Sequence, residues 1–160
     1  MIDRLLFGLT WFSAVGTGLM AGLFFAFSVC IMTALGRLPH GQGIAAMQSI
    51  NSTILNPVFG LVFSGTTLAC VVLAIFSLIK RGEAGAAYVL AGSLLYLLVV
   101  VVTMVFNVPM NDKLAAVLPN SAGSIDLWSR YVTEWTAWNH VRTLASIASL
   151  VTFIIALRYR

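Results

Sequence analysis

Long runs of apolar residues broken by short polar intervals set the pattern of this chain. The first run lies between Arg4 and Arg37, the second covers about 54–79, the third 84–106 and the fourth 137–157. Each exceeds the ~20 residues that a helix needs to cross a bilayer. Backbone groups in lipid must bond within their own segment, so four spanning helices are predicted. The alternation expected of a β-barrel is absent. The first run is too long for the ~7–15-residue apolar stretch of a signal peptide and is expected to be a span.

The intervals carry their own signals. Pro39-His40-Gly41-Gln42-Gly43 is a turn. Residues 44–52 then read as a short amphipathic helix outside the hydrocarbon, with Ile44, Met47 and Ile50 on one side and Gln48 near Asn51. Asn56-Pro57 marks a helix start or kink. Pro109 is expected to interrupt the ladder of the third helix between Asn107 and Asn111, freeing a carbonyl. After a second turn at 119–124, Ser124 reads as an N-cap, and Trp128, Tyr131, Trp135 and Trp138 recur at helical spacing.

Composition fits this picture. Of the 160 residues, 60% are hydrophobic and 9% charged, and mean hydropathy is +0.99. A soluble domain carries about 25% charged residues. The expected fold is therefore an all-α membrane protein, one four-helix transmembrane domain over residues 1–160. The net charge of +4 comes from basic residues at the ends of apolar runs, where they meet lipid headgroups, and does not point to nucleic acid. Arg4, Lys80, Arg81, Arg158 and Arg160 share one side; Arg37, Lys113 and Arg130 share the other. This bias predicts a cell-membrane protein with both termini cytoplasmic. Cys30 and Cys70 fall at depths about 20 Å apart at 1.5 Å per residue, beyond disulfide reach. In the first run Ala14, Gly18, Gly22 and Ala26 recur every fourth residue, a row that suits either an internal helix contact or a homodimer seam through Gly18 and Gly22.

This topology brings polar groups from three segments to one level of the membrane. Asn51 and Asn56 precede the second helix, Asn107 and Asn111 end the third, and Trp135, Trp138, Asn139, His140, Arg142 and Thr143 enter the fourth. On a helical wheel Tyr131, Trp135, Trp138, Asn139, Arg142, Ser146 and Ser149 form one stripe; Thr136, His140, Thr143 and Ile147 form a second. Since each holds an ionisable group, the fourth helix is expected to be buried on more than one side. Simpler roles also fit. The tryptophans suit interfacial anchors. Arg142 suits snorkelling or an ion pair with Glu134 or Asp112. The asparagines suit backbone groups freed by the prolines, and His140 an interhelical hydrogen bond. With only His40 and His140, no CxxC and no HExxH, no metal site is expected.

Three segments carry a resemblance: Gly18-Leu19-Met20-Ala21-Gly22-Leu23-Phe24-Phe25-Ala26-Phe27-Ser28, Asn107-Val108-Pro109-Met110-Asn111 and Trp138-Asn139-His140-Val141-Arg142-Thr143. Together they resemble the anthrone oxygenase-like family of small four-span membrane proteins. The resemblance implies oxidation of a polycyclic phenolic or anthrone-like substrate by molecular oxygen, without a cofactor. On that chemistry His140 is the expected base. Asn107, Asn111 and Arg142 would stabilise the anion, and Asn51, Asn56, Trp135, Trp138, Asn139 and Thr143 would hold the substrate. The expected partners are a hydrophobic aromatic molecule and membrane lipid. The alternative is a non-catalytic binding, transport or scaffold subunit that takes a lipid or quinone-like molecule in the same pocket.

The orientation has a direct test. With Cys30 and Cys70 replaced, a membrane-impermeant thiol reagent added outside cells should modify Ser121→Cys and spare Gly82→Cys. The opposite pattern inverts the topology.

Overall fold

The computed structural model describes residues 1–159, so Arg160, counted above towards the basic bias, lies outside the described residues. Among the described residues there is no strand, and four helices are long and apolar enough to cross a membrane. We label them α1 (Ile2–Gly36), α3 (Pro57–Ile79), α4 (Ala86–Ala115) and α5 (Ser124–Leu157), with α2 (His40–Thr53) between the first two. The protein is thus an all-α, multi-pass membrane bundle. Neighbours around the bundle run α1, α3, α4, α5 and back to α1, each antiparallel to the next.

The bundle has two apolar cores stacked end to end. The long one contains Leu6, Met20, Phe24, Phe63, Leu73, Val89, Tyr96 and Phe153. The second caps it and contains Phe27, Met32, Ile44, Met47, Leu114, Trp128 and Trp135. α2 supplies Ile44 and Met47 to this second core, as its amphipathic pattern predicts. It stays there because Gln48 Nε2 donates to the carbonyls of Leu114 (2.8 Å) and Val117 (2.9 Å), which lie at the end of α4. Leu114 O lies in the last turn of α4, where carbonyls lack a partner inside their own helix, and Val117 O lies in the turn just beyond it.

Helix ends follow the local chemistry with two corrections, the first at α2, where His40-Gly41-Gln42-Gly43, expected as a turn, already forms the first helical turn after Pro39. Pro57 occupies the first turn of α3, where its missing N–H costs nothing, and Asn56 is the cap: its Oδ1 accepts from Phe59 N at 3.0 Å. Ser124, by contrast, is not a cap. The chain turns at Gly123 with φ +81°, and Ser124 is already the first helical residue, its buried hydroxyl without a hydrogen-bond partner. α5 then runs unbroken for 34 residues, about 51 Å at 1.5 Å per residue, and so exceeds a hydrocarbon core of ~30 Å.

Two wide π-helical turns interrupt this regularity, at Phe27–Ile31 in α1 and Thr103–Asn107 in α4. The second directly precedes Pro109, which has no N–H to continue the ladder. The first faces α5, where Asn139 Nδ2 takes the carbonyl of Phe24 at 2.7 Å. A side chain inserted in the ladder is a known cause of such a distortion.

The closest helix crossing is not the one the spacing-of-four row suggests. A Cβ on Gly18 would meet Leu150 at an ordinary 3.6 Å, and one on Gly22 would meet nothing. Gly16 is the tight position, where a Cβ would lie 1.9 Å from Thr66 Oγ1 of α3. Gly92 is similar: a Cβ there would lie 2.8 Å from Thr152 Oγ1, and its carbonyl already accepts from Ser149 Oγ at 2.7 Å. At the end away from α2, Lys80 joins the helix ends through ion pairs with Asp3 and Glu83.

Thermal unfolding in detergent should separate the glycines. Gly16→Ala overfills the α1–α3 contact and is expected to cost about 1–3 kcal/mol. Gly22→Ala should be neutral or slightly stabilising through helix propensity. Equal melting temperatures for the two variants would contradict this packing.

Candidate functional site

A cavity of about 530 Å³ lies where the two cores meet. All four spans and α2 contribute to it. Phe24 and Phe27 come from α1, Met47 and Asn51 from α2, Phe59 and Phe63 from α3, Thr103 and Asn111 from α4, and Trp135 and Arg142 from α5. The walls are mainly aromatic and aliphatic. Polar groups converge at two points, Arg142 and Asn111, as in ligand sites that combine apolar bulk with a few oriented donors. Towards the α3–α4 side the lining is made of small or flexible residues, among them Gly60, Ser64 and Met104. α3 packs along the 86–102 part of α4 but makes little contact with its last turns, so the cavity has an apolar flank there.

Arg142 is 5% exposed. Its guanidinium carbon lies 4.4 Å from the Phe24 ring centre and 4.9 Å from that of Trp135, a cation held between two π faces. Nη2 donates to Asn139 Oδ1 at 2.8 Å, while Nε is buried without a partner. Both simple readings of this residue fail. It does not snorkel, because α1 and the α5 aromatics close over it. Nor does it pair with Glu134 or Asp112: both carboxylates are exposed, and among the described residues the ion pairs recorded are those of Lys80.

Asn139 positions this cation. It is fully buried and donates to Phe24 O and to Ser28 Oγ at 2.8 Å, which leaves its Oδ1 turned to Arg142. Thr143 extends the same tie, with Oγ1 donating to Asn139 O at 2.8 Å and sharing a 3.0 Å hydrogen bond with Ser28 Oγ. Neither residue reaches the cavity; both fix α5 against α1.

Asn111 has a different geometry. Its Oδ1 accepts from Tyr131 Oη at 2.7 Å and from Trp135 Nε1 at 2.8 Å. An indole N–H can only donate, so the oxygen must face the aromatics and the amide NH₂ is left for the cavity. Asn51 Nδ2 stands 3.5 Å from Tyr131 Oη and completes the row. Asn107 is 1% exposed and serves the helix pair, donating to Trp135 O at 3.2 Å. Asn56 lines the mouth while capping α3.

Asn107, Asn139 and Thr143 thus stand behind the cavity wall, and two further expected site residues, His140 and Trp138, lie elsewhere on α5. His140 is exposed in a shallow groove with Met32, Thr33 and Thr136. His140 itself faces away from the cavity and Ile147 of the same stripe is 40% exposed, whereas Thr143 between them is buried and α5 packs against both α1 and α4. Trp138 stacks on Phe106 with ring centres 3.6 Å apart, on the flank of α4 and α5, and does not line the cavity. Conversely, Phe24, Phe27 and Phe63 form walls that spacing alone did not single out. Beside the cavity a more open groove of about 690 Å³ carries Lys113, Asp126, Arg130 and Glu134. Its mixed charges and exposure suit solvent. Among the described residues no three His, Cys, Asp or Glu side chains gather as a metal site would require.

Comparison with known proteins adds one finding. The family model described as anthrone oxygenase matches residues 53–152. No curated protein matches the chain, and no solved structure does. The matched stretch covers α3, α4 and most of α5, so it includes Asn111, Trp135, Asn139 and Arg142. The chain therefore belongs to the anthrone oxygenase family.

Proposed function

We propose that this protein oxidises a flat polycyclic phenol or anthrone with molecular oxygen inside the cavity between its two cores. The observation that carries the reading is an aromatic-walled cavity with two free donor groups, Arg142 and the Asn111 amide, supported by the family membership. Its volume of about 530 Å³ falls in the ~300–1,000 Å³ range of ordinary ligand pockets. The apolar flank between α3 and α4 offers a route for a substrate dissolved in the bilayer.

An anthrone carries a weakly acidic C–H between two aryl rings. Loss of that proton spreads charge onto the ketone oxygen, where Arg142 and Asn111 would donate. The carbanion adds to oxygen; the resulting hydroperoxide loses water and leaves a second ketone. One oxygen atom enters the product and the other leaves as water, so the four electrons given up by the carbon balance those taken by oxygen. The protein then contributes a dry site, orientation and anion stabilisation. Proton transfer is assigned to Asp112, the acid among the lining residues, because the His140 imidazole opens on the other side of α5.

Oxygen uptake with an anthrone, corrected for autoxidation, tests this reading. Wild-type protein in liposomes should exceed background. Asn111→Asp keeps an acceptor for Tyr131 and Trp135 but turns a negative oxygen towards the cavity. It should lose roughly 10²–10³-fold, the worth of an oxyanion donor. Removing a general base costs ~10²–10⁴-fold, so Asp112→Asn should show that loss and His140→Ala should not. The reverse pair of results would return the base to His140. Wild-type uptake equal to background across several anthrones would favour a binding or transport protein.

A further inference from the structure

Arg142 is a cation with no counter-charge. The chain has five acids, and none of them pairs with it: Asp3 and Glu83 meet Lys80 at the far end, Asp126 and Glu134 are exposed, and Asp112, which lines the same cavity, is exposed at its rim and makes no ion pair with Arg142. A guanidinium stays charged in a protein. Burying it unpaired is costly, and two ring faces and one neutral amide offset only part of that cost. Arg142 lines the cavity together with the Asn111 amide, whose own oxygen is fully used. Around these two donors the surface is aromatic: Phe24, Phe27, Phe63 and Trp135.

We infer that the cavity is a binding site for aromatic anions, flat ring systems bearing one ionised oxygen group, a phenolate, enolate or carboxylate, and that it discriminates against the neutral quinone of the same shape. This deepens the proposed function and rests on it for the identity of the natural ligand. The charge that Arg142 meets on the substrate anion disappears when the carbon becomes a ketone. The product therefore loses the contact that held its precursor, and release follows from the chemistry itself. An anionic lipid would satisfy the charge but leaves the ring faces without a partner.

Binding can be measured without turnover, on the full chain in detergent, by quenching of tryptophan fluorescence. Anthracene carboxylate, its carboxamide and anthraquinone share one shape and differ in charge. A hydrogen bond to a charged group makes the carboxylate roughly 10- to 100-fold tighter than either neutral compound. Arg142→Gln should abolish the preference, and Arg142→Lys should retain part of it. Equal affinities for the three compounds in wild-type protein would overturn the inference without any variant. So would an undiminished preference in Arg142→Gln, or displacement of the carboxylate by anionic lipid but not by other aromatic acids. Oxygen uptake separates the two claims: charge-selective binding with no uptake sinks the oxygenase reading alone, and uptake with no charge preference sinks this one alone.

Discussion

A guanidinium enclosed at membrane depth dictates much of this architecture. Arg142 can occupy α5 only if its neighbours meet its needs, and each neighbour then acquires a role. Phe24 and Trp135 cover its faces. Asn139 turns an oxygen towards it, which requires that the Asn139 amide be anchored on α1. That anchor falls where α1 widens into a π turn, so the irregularity of one helix and the polarity of another are parts of one arrangement. Polar groups in lipid are tolerated when they face the bundle interior, and here four of them are stacked along one helix face, at Asn139, Arg142, Ser146 and Ser149.

The aromatic residues near the cavity divide by what they can donate. Tyr131 and Trp135 each spend their one hydrogen on Asn111, and this removes any ambiguity in how that amide is turned. Phe24, Phe27 and Phe63 have nothing to donate and serve as walls. Trp138, one turn from Trp135, stacks outside on Phe106. Two tryptophans three residues apart on one stripe thus do different work: Trp135 lines the cavity beneath Asn111, and Trp138, at the edge of the stripe, meets Phe106 of α4.

Much of the frame was legible in the chain. Run lengths gave four spans, the spacing of Ile44, Met47 and Ile50 gave all of α2 but its first turn, and Asn56-Pro57 gave the start of α3. The stripe of Tyr131, Trp135, Asn139 and Arg142 emerged from helical periodicity and is buried as that periodicity implies. What stayed hidden depends on rotation and on partners. Periodicity fixes which residues share a face but not which face a neighbour covers, so His140 and Arg142, two residues apart, both looked buried and only Arg142 is. The row at Gly18 and Gly22 had the right spacing, yet the tightest crossing uses Gly16, because contact depends on where Thr66 falls across the interface. The π turns left no trace beyond Pro109, since the one in α1 involves a side chain more than a hundred residues away.

The clamp from Gln48 has a further consequence. α2 covers the top of the cavity, but the hydrogen bonds recorded between its backbone or side chains and the end of α4 come from this one amide. The two carbonyls it satisfies lie at a helix terminus, where water can replace the amide at little loss. Lifting α2 would also draw the buried Ile44 and Met47 out of the second core, but it would leave the crossings at Gly16 and Gly92 intact. The cost of such an opening therefore falls on the second core and not on the four-span frame. The seating of α2 and the durability of the four-span frame are then separate properties, set by different contacts.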